Sequence, residues 1–157
     1  MKPIIAHIVA FSTLICVSLL GSKSIGSSKS PWYECIKPSI TPPSFVFPIV
    51  WTLLYLSIAI VLAQVLMSKS PKVSLLVVMA INLILNVSWS YLYFGLKQVR
   101  AAFVVTLLLL LTQIAILKML WGFKRWTFWA LVPYAIWLMF ACILNGLSIV
   151  KESSCVR

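Results

Sequence analysis

Apolar residues in this chain do not alternate with polar ones. They run on without a break at 4–21, 44–67, 73–94, 101–121 and 127–150. Each run has roughly the 20 residues needed to cross a hydrocarbon layer of about 30 Å at 1.5 Å per residue. Continuity rules out transmembrane strands, which alternate lipid-facing and lumen-facing residues. The pattern predicts an all-α integral membrane protein, a bundle of five transmembrane helices. The first run could instead be a signal peptide opening on Lys2. It is long, however, and no small-x-small cleavage site follows Leu20, so a retained helix is expected.

Three connections are short, at 68–72, 95–100 and 122–126, which makes the neighbouring helices antiparallel. The fourth, 22–43, is long. Loops of that length in compact proteins are functional or disordered. Its first part, 21–30 (GSKSIGSSKS), reads as mobile. The rest carries Trp32, Tyr33 and a run of prolines that restrict the backbone and give it something to pack. This half is expected to act as a lid. The second span opens on start signals, with Thr41 or Ser44 as cap and Pro42 and Pro43 beside the first turn. Pro133 lies deep in the fifth span and should leave a carbonyl for a neighbour to satisfy. No internal repeat is visible, and residues 1–157 read as one membrane domain.

Polar positions inside the spans are few and periodic. Asn82, Asn86, Trp89 and Tyr93 fall at i, i+4, i+7 and i+11, one stripe within about 60° on a helix face. Tyr134, Trp137, Ala141 and Asn145 form a second stripe, and Phe47, Trp51 and Tyr55 a third. Thr106 and Gln113 share a face in the fourth span. An amide in hydrocarbon is costly without partners, so these side chains should point into the bundle. A single asparagine could merely glue helices, at roughly 0.6–2 kcal/mol. Three aromatic–polar stripes fit a small-molecule pocket better, because such pockets combine large rings with a few placed polar groups. Phe94, Trp121, Trp126 and Trp129 lie near span ends and are assigned to the interfacial aromatic belt.

Composition agrees with this reading and narrows the chemistry. The 157 residues are 62% hydrophobic and only 10% charged, with a mean hydropathy of +1.09. The net charge of +11 comes from loop cations beside the spans, which suit lipid headgroups. There is no soluble basic module to bind nucleic acid. Six cations fall on one face (Lys2, Lys69, Lys72, Lys118, Lys124, Arg125) and seven on the other (Lys23, Lys29, Lys37, Lys97, Arg100, Lys151, Arg157), so charge bias gives no orientation. The two carboxylates, Glu34 and Glu152, lie outside the spans, which argues against ion-coupled pumping. His7, the single histidine, has no acidic neighbour, and no nucleophile elbow or phosphate loop exists. The four cysteines show no metal-ligand spacing. Cys16 and Cys142 read as small apolar residues. Cys35 and Cys155 fall on the same side of a five-span protein, and the sequence leaves their pairing open.

Four blocks carry a resemblance. They are Trp32-Tyr33-x-x-Ile36-Lys37-Pro38 followed by Pro42-Pro43; Val46-Phe47 with Trp51-Thr52-x-Leu54-Tyr55; Asn86-x-x-Trp89 with Phe94-Gly95; and Pro133-Tyr134-x-x-Trp137-x-x-x-Ala141-x-x-Leu144-Asn145. Together they resemble the translocator protein family, also called tryptophan-rich sensory proteins or peripheral-type benzodiazepine receptors. The resemblance implies a five-helix bundle, a homodimer, and a first loop folded over a pocket between the helices. It implies ligands such as porphyrins and other tetrapyrroles (protoporphyrin or haem), sterols in some lineages, and isoquinoline or benzodiazepine drugs. No covalent cofactor or metal is implied. The family pocket corresponds to Trp51, Tyr55, Asn82, Asn86, Trp89, Trp137, Leu138 and Ala141, with Trp32 and Tyr33 in the lid; periodicity adds Tyr134.

Departures refine that expectation. Gly146 stands where animal members have a tyrosine, so their cholesterol motif is incomplete, and such motifs are weak in any case. Val87 and Val105 replace an aromatic and an acidic residue of animal members. A prokaryotic cell-envelope member that handles tetrapyrroles fits better than a mitochondrial sterol carrier. The leading expectation is a receptor or carrier that stacks a porphyrin on Trp51, Trp89 and Trp137, with Asn82 and Asn86 on its polar groups and Lys37 or another loop cation on its propionates. One alternative is light- and oxygen-dependent porphyrin breakdown, the pigment supplying the excited state. A scaffold or stress-response protein without a saturable ligand is another. A small drug transporter is disfavoured by the missing intramembrane carboxylate.

Overall fold

The computed structural model describes residues 1–25, 30–69 and 72–155. Among them every regular element is helical: α1 (Pro3–Ile25), α2 (Pro31–Ile36), α3 (Val46–Leu66), α4 (Val73–Ser90) continued by a π-helical turn (Tyr91–Gly95), α5 (Val99–Trp121) and α6 (Arg125–Cys155). Five of these are long and apolar enough to cross a membrane, so the protein is a multi-pass integral membrane protein. Helices consecutive in sequence pack together at α4–α5 and α5–α6, whereas α3 and α4 are set apart by α1. α1 packs on α3 and α4, α4 on α5, α5 on α6, and α6 closes back on α3. The cross-section is therefore a ring in the order α1, α3, α6, α5, α4.

The bundle is held by close apolar contact. Ala6 and Ala10 on α1, and Ala59 and Ala63 on α3, have no exposed surface. Each pair is spaced i, i+4, the arrangement of small residues that lets membrane helices approach closely. Ala10, Ala59 and Ala63 share one buried cluster with Leu54, Ile58, Leu75, Met79, Leu109, Leu131 and Leu138. Outward faces keep residues such as Ile15, Leu53, Ile84, Leu111 and Ile136 exposed, as a lipid-facing surface requires.

Helix ends differ from the sequence expectation in physically readable ways. α1 continues through Ser22 and Lys23, because apolarity marks the hydrocarbon and not the end of a helix. Lys23 in the last turn suits the negative end of the helix dipole. The rest of the stretch expected to be mobile, 26–29, lies outside the described residues. α3 is not capped by Thr41 or Ser44. Phe45 holds the N-cap position and offers no side-chain bond. Pro48 sits in the first turn, where its missing N–H would have no partner in any case. α6 runs unbroken through Pro133, and Gln113 donates to the Leu131 carbonyl nearby at 3.1 Å.

The loop half expected to act as a lid forms a helix. Ser30 accepts a bond from the Tyr33 amide, Pro31 occupies the first turn, and Glu34 lies near the positive end of the dipole. Lys37 precedes Pro38 and is already extended, which ends the helix. Ile36 is fully buried among Tyr93, Phe94, Val99 and Ala102, so α2 lies across the ends of α4, α5 and α6. Cys35 and Cys155 are joined by a disulfide with a Cα–Cα separation of 6.1 Å.

Ala10→Leu is expected to lower stability by about 1–3 kcal/mol, because the α1 surface against α3 has no room for added methylenes. Ile15→Leu on the lipid face should be neutral. Thermal unfolding in detergent measures both.

Candidate functional site

Four side chains from three helices form a chain of hydrogen bonds in the middle of the bundle. The Tyr55 phenol on α3 donates to Asn86 Oδ1 on α4 at 2.7 Å. Asn86 Nδ2 donates to the Tyr134 phenol on α6 at 3.3 Å. That phenol donates in turn to Asn82 Oδ1 at 3.1 Å. Asn82 Nδ2 reaches α5, donating to the Leu109 carbonyl at 3.1 Å and to Thr112 Oγ1 at 2.8 Å. Asn82, Asn86 and Tyr134 are almost fully buried. Satisfied polar chains of this kind fix which faces of the helices turn inward.

Rings surround this chain in two groups. On the α3–α6 side, Trp51 lies 5.3 Å from Tyr55 and 6.2 Å from Tyr134 between centroids. Phe47 meets Trp137 edge-on at 5.8 Å, and Trp137 contacts Phe140. On the lid side, Trp89 stacks on Tyr93 at 5.3 Å and meets Phe94 edge-on. Trp32 and Tyr33 from α2 both contact Tyr93, and Tyr33 also reaches Phe94. Leu138 is buried within the core, and Ala141 is half-buried further along α6.

Of the expected residues, Tyr55, Asn82, Asn86 and Tyr134 are linked by hydrogen bonds. Trp51 and Trp137 occupy one side and Trp89 the other, and the Tyr55–Asn86–Tyr134–Asn82 chain bridges them. Trp89 Nε1 is buried and has no hydrogen-bond partner. A cavity of about 420 Å³ lies laterally between α1, α3 and α4, lined by Val17, Leu62, Met79, Leu83 and Val87 among others. One of about 320 Å³ lies at the start of α5 beside Lys97, Arg100 and Glu152. None of the expected residues lines either cavity. Among the described residues no group of three or more His, Cys, Asp and Glu side chains converges as a metal site would need.

Phe94 does not belong to the interfacial belt. The π-helical turn sets Tyr93 and Phe94, adjacent in sequence, both inward, with 5% and 8% exposure. π turns often mark functional positions. Trp121, Trp126 and Trp129 do face outward, and Arg125 lies 5.1 Å from the Trp121 ring. Two participants were not visible in the pattern: Thr112, which receives Asn82, and Ser148, whose hydroxyl meets the Tyr93 phenol at 2.8 Å. Each is a small hydroxyl in a long apolar run, and only its partner distinguishes it.

The polar rim at the lid end is mixed. Lys97 Nζ sits 5.6 Å from the Trp32 ring centre. Lys151 Nζ donates to the Lys37 carbonyl at 2.7 Å, while Lys37 makes a loose pair with Glu34 at 3.9 Å. Burial lifts the Tyr33 phenol above its ordinary pKa, and the neighbouring Glu34 charge adds to the shift. Tyr33 is therefore neutral at physiological pH.

A family model described as the TspO/MBR family matches residues 8–149. The tryptophan-rich protein TspO of Chlorobaculum tepidum is 36% identical over 145 residues, covering 83% of this chain and 89% of the relative. The tryptophan-rich sensory protein of Cereibacter sphaeroides is 32% identical, covering 73% and 72%. The tryptophan-rich protein TspO of Archaeoglobus fulgidus is 30% identical, covering 90% and 94%.

Tyr134→Phe removes a hydroxyl that serves two buried amides at once, whereas Tyr55→Phe frees only one acceptor. The first substitution is expected to cost about 1–2 kcal/mol and the second less. Equilibrium unfolding in mixed detergent checks the order.

Proposed function

Because the chain belongs to the TspO/MBR family, we propose that it is a membrane receptor or carrier for flat, largely apolar ligands of the porphyrin class. The observation that carries this reading is the Trp89 indole N–H. It is buried without an acceptor, at the point where the lid aromatics meet the interior of the bundle. A buried donor left unpaired costs about 1–3 kcal/mol, and a ligand that brings an acceptor recovers that cost. The relative named as a tryptophan-rich sensory protein supports a sensing role of the same kind.

The chemistry then follows from the residues. Trp51, Tyr55 and Trp137 offer one aromatic wall, and Trp89, Tyr93 and Phe94 the other. Their contacts are mostly edge-on or tilted and worth about 0.5–1.5 kcal/mol each, so they part cheaply to admit a planar ligand. The Tyr55–Asn86–Tyr134–Asn82 chain holds the floor and can rotate a phenol or amide toward a pyrrole N–H or a carbonyl. Trp32 and Tyr33 cover the opening and exclude water. Lys97, beside Trp32 and without a carboxylate partner among the described residues, is better placed than Lys37 for a ligand carboxylate.

Titration of protoporphyrin against the purified protein tests this reading. Trp89→Phe keeps one aromatic ring and deletes the indole donor, and affinity should fall roughly five- to a hundredfold. The Asn86→Ala, Trp89→Ala double variant should lose at least about tenfold. Affinity unchanged in the double variant would remove the site.

A further inference from the structure

The lid is attached at both a covalent and a non-covalent level, and the two differ in kind. α2 has six residues, far short of the length at which a helix holds itself in water. Its non-covalent docking includes one fully buried side chain, Ile36, the Trp32 and Tyr33 ring contacts, Lys97 over the Trp32 ring and the Lys151–Lys37 bond. Beyond these there is the Cys35–Cys155 disulfide, which ties α2 to the last turn of α6 across 120 residues of sequence. Cys35 is exposed and Cys155 half-exposed, so the bond is open to attack from the aqueous side. The other two cysteines, Cys16 and Cys142, lie inside α1 and α6 and cannot exchange with it.

We infer that the Cys35–Cys155 disulfide is a redox-sensitive strap that holds α2 shut over the aromatic end of the bundle, so that thiol reductants set how fast ligand enters and leaves. The regulated ligand is the one proposed above, and to that extent the strap rests on that reading. The reaction balances as ordinary thiol–disulfide exchange. A dithiol attacks one sulfur and displaces the other, and the mixed disulfide is then resolved by the second thiol. Two electrons pass to the Cys35–Cys155 bond, two protons end on its sulfurs, and the dithiol becomes a cyclic disulfide. With the bond open, α2 keeps only its short docked face. Structural disulfides persist in oxidising compartments, so the strap also puts the lid and the end of α6 on the non-cytoplasmic side, where ligand exchange would occur.

Two readouts separate the strap from the ligand. Hydrogen exchange of the Glu34 and Lys37 amides, which bond to Ser30 and Tyr33 within the lid, is followed with and without dithiothreitol. Reduction, or Cys155→Ser, should speed that exchange at least tenfold, and Cys155→Ser should be indifferent to reductant. Unchanged protection overturns the strap. Protoporphyrin dissociation should accelerate by a similar factor. Faster amide exchange with no saturable porphyrin binding in either state would leave the strap standing and sink the ligand reading. In cells, alkaline phosphatase fused after the last residue is active only in an oxidising compartment, and activity is expected. An inactive fusion places both cysteines in a reducing compartment and overturns the strap.

Discussion

Inside hydrocarbon a carboxamide has no water to fall back on, and this constraint organises the bundle. Asn82 and Asn86 cannot face lipid without losing several kcal/mol. Each therefore turns inward and takes a phenol, a hydroxyl or a carbonyl from another helix. Because the partners come from α3, α5 and α6, satisfying two side chains on α4 fixes the rotation of three neighbours. Trp51, Trp89 and Trp137 lie on the same helix faces and are carried inward with them. The aromatic interior is thus a consequence of polar satisfaction as much as of apolar packing.

That logic explains what was legible in the sequence. Apolar run lengths locate the spans, and the i, i+4, i+7 spacing on α4 locates the inward stripe, because both depend on local periodicity alone. The lid helix was only partly legible. Prolines and aromatics marked a stiff segment, but its fold depends on Ile36 finding a cluster built from Tyr93, Phe94, Val99 and Ala102, which are distant in sequence. Position near a span end sends Phe94 to the interfacial belt, whereas its burial depends on Ile36, Val99 and Ala102, which the chain brings to it from other elements. Helix ends were blurred wherever the helix outlasts the membrane, as α1 does through Lys23 and α6 through Cys155. The pairing of Cys35 with Cys155 could be drawn only as a shared side, since nothing local brings the two together.

The division of labour across the membrane is uneven. The end bearing Lys2, Lys124 and Arg125 carries outward-facing tryptophans and cations over aromatic rings, a surface that suits headgroups. The opposite end carries the lid, both carboxylates and the disulfide. The short helix α2 and its disulfide are gathered there, while buried alanines join α1 to α3 in the core.

The proposed function requires that an interior of tryptophan rings, braced by linked amides and phenols, accept a planar guest at the unpaired indole of Trp89. Indole N–H resonances of protein labelled with ¹⁵N-tryptophan, recorded in lipid nanodiscs during a protoporphyrin titration, address it most directly. The Trp89 signal should move saturably, reaching its limit near one equivalent, while those of Trp121, Trp126 and Trp129 stay in place. A stationary Trp89 signal, or a uniform drift of all the indoles that never saturates, would contradict it.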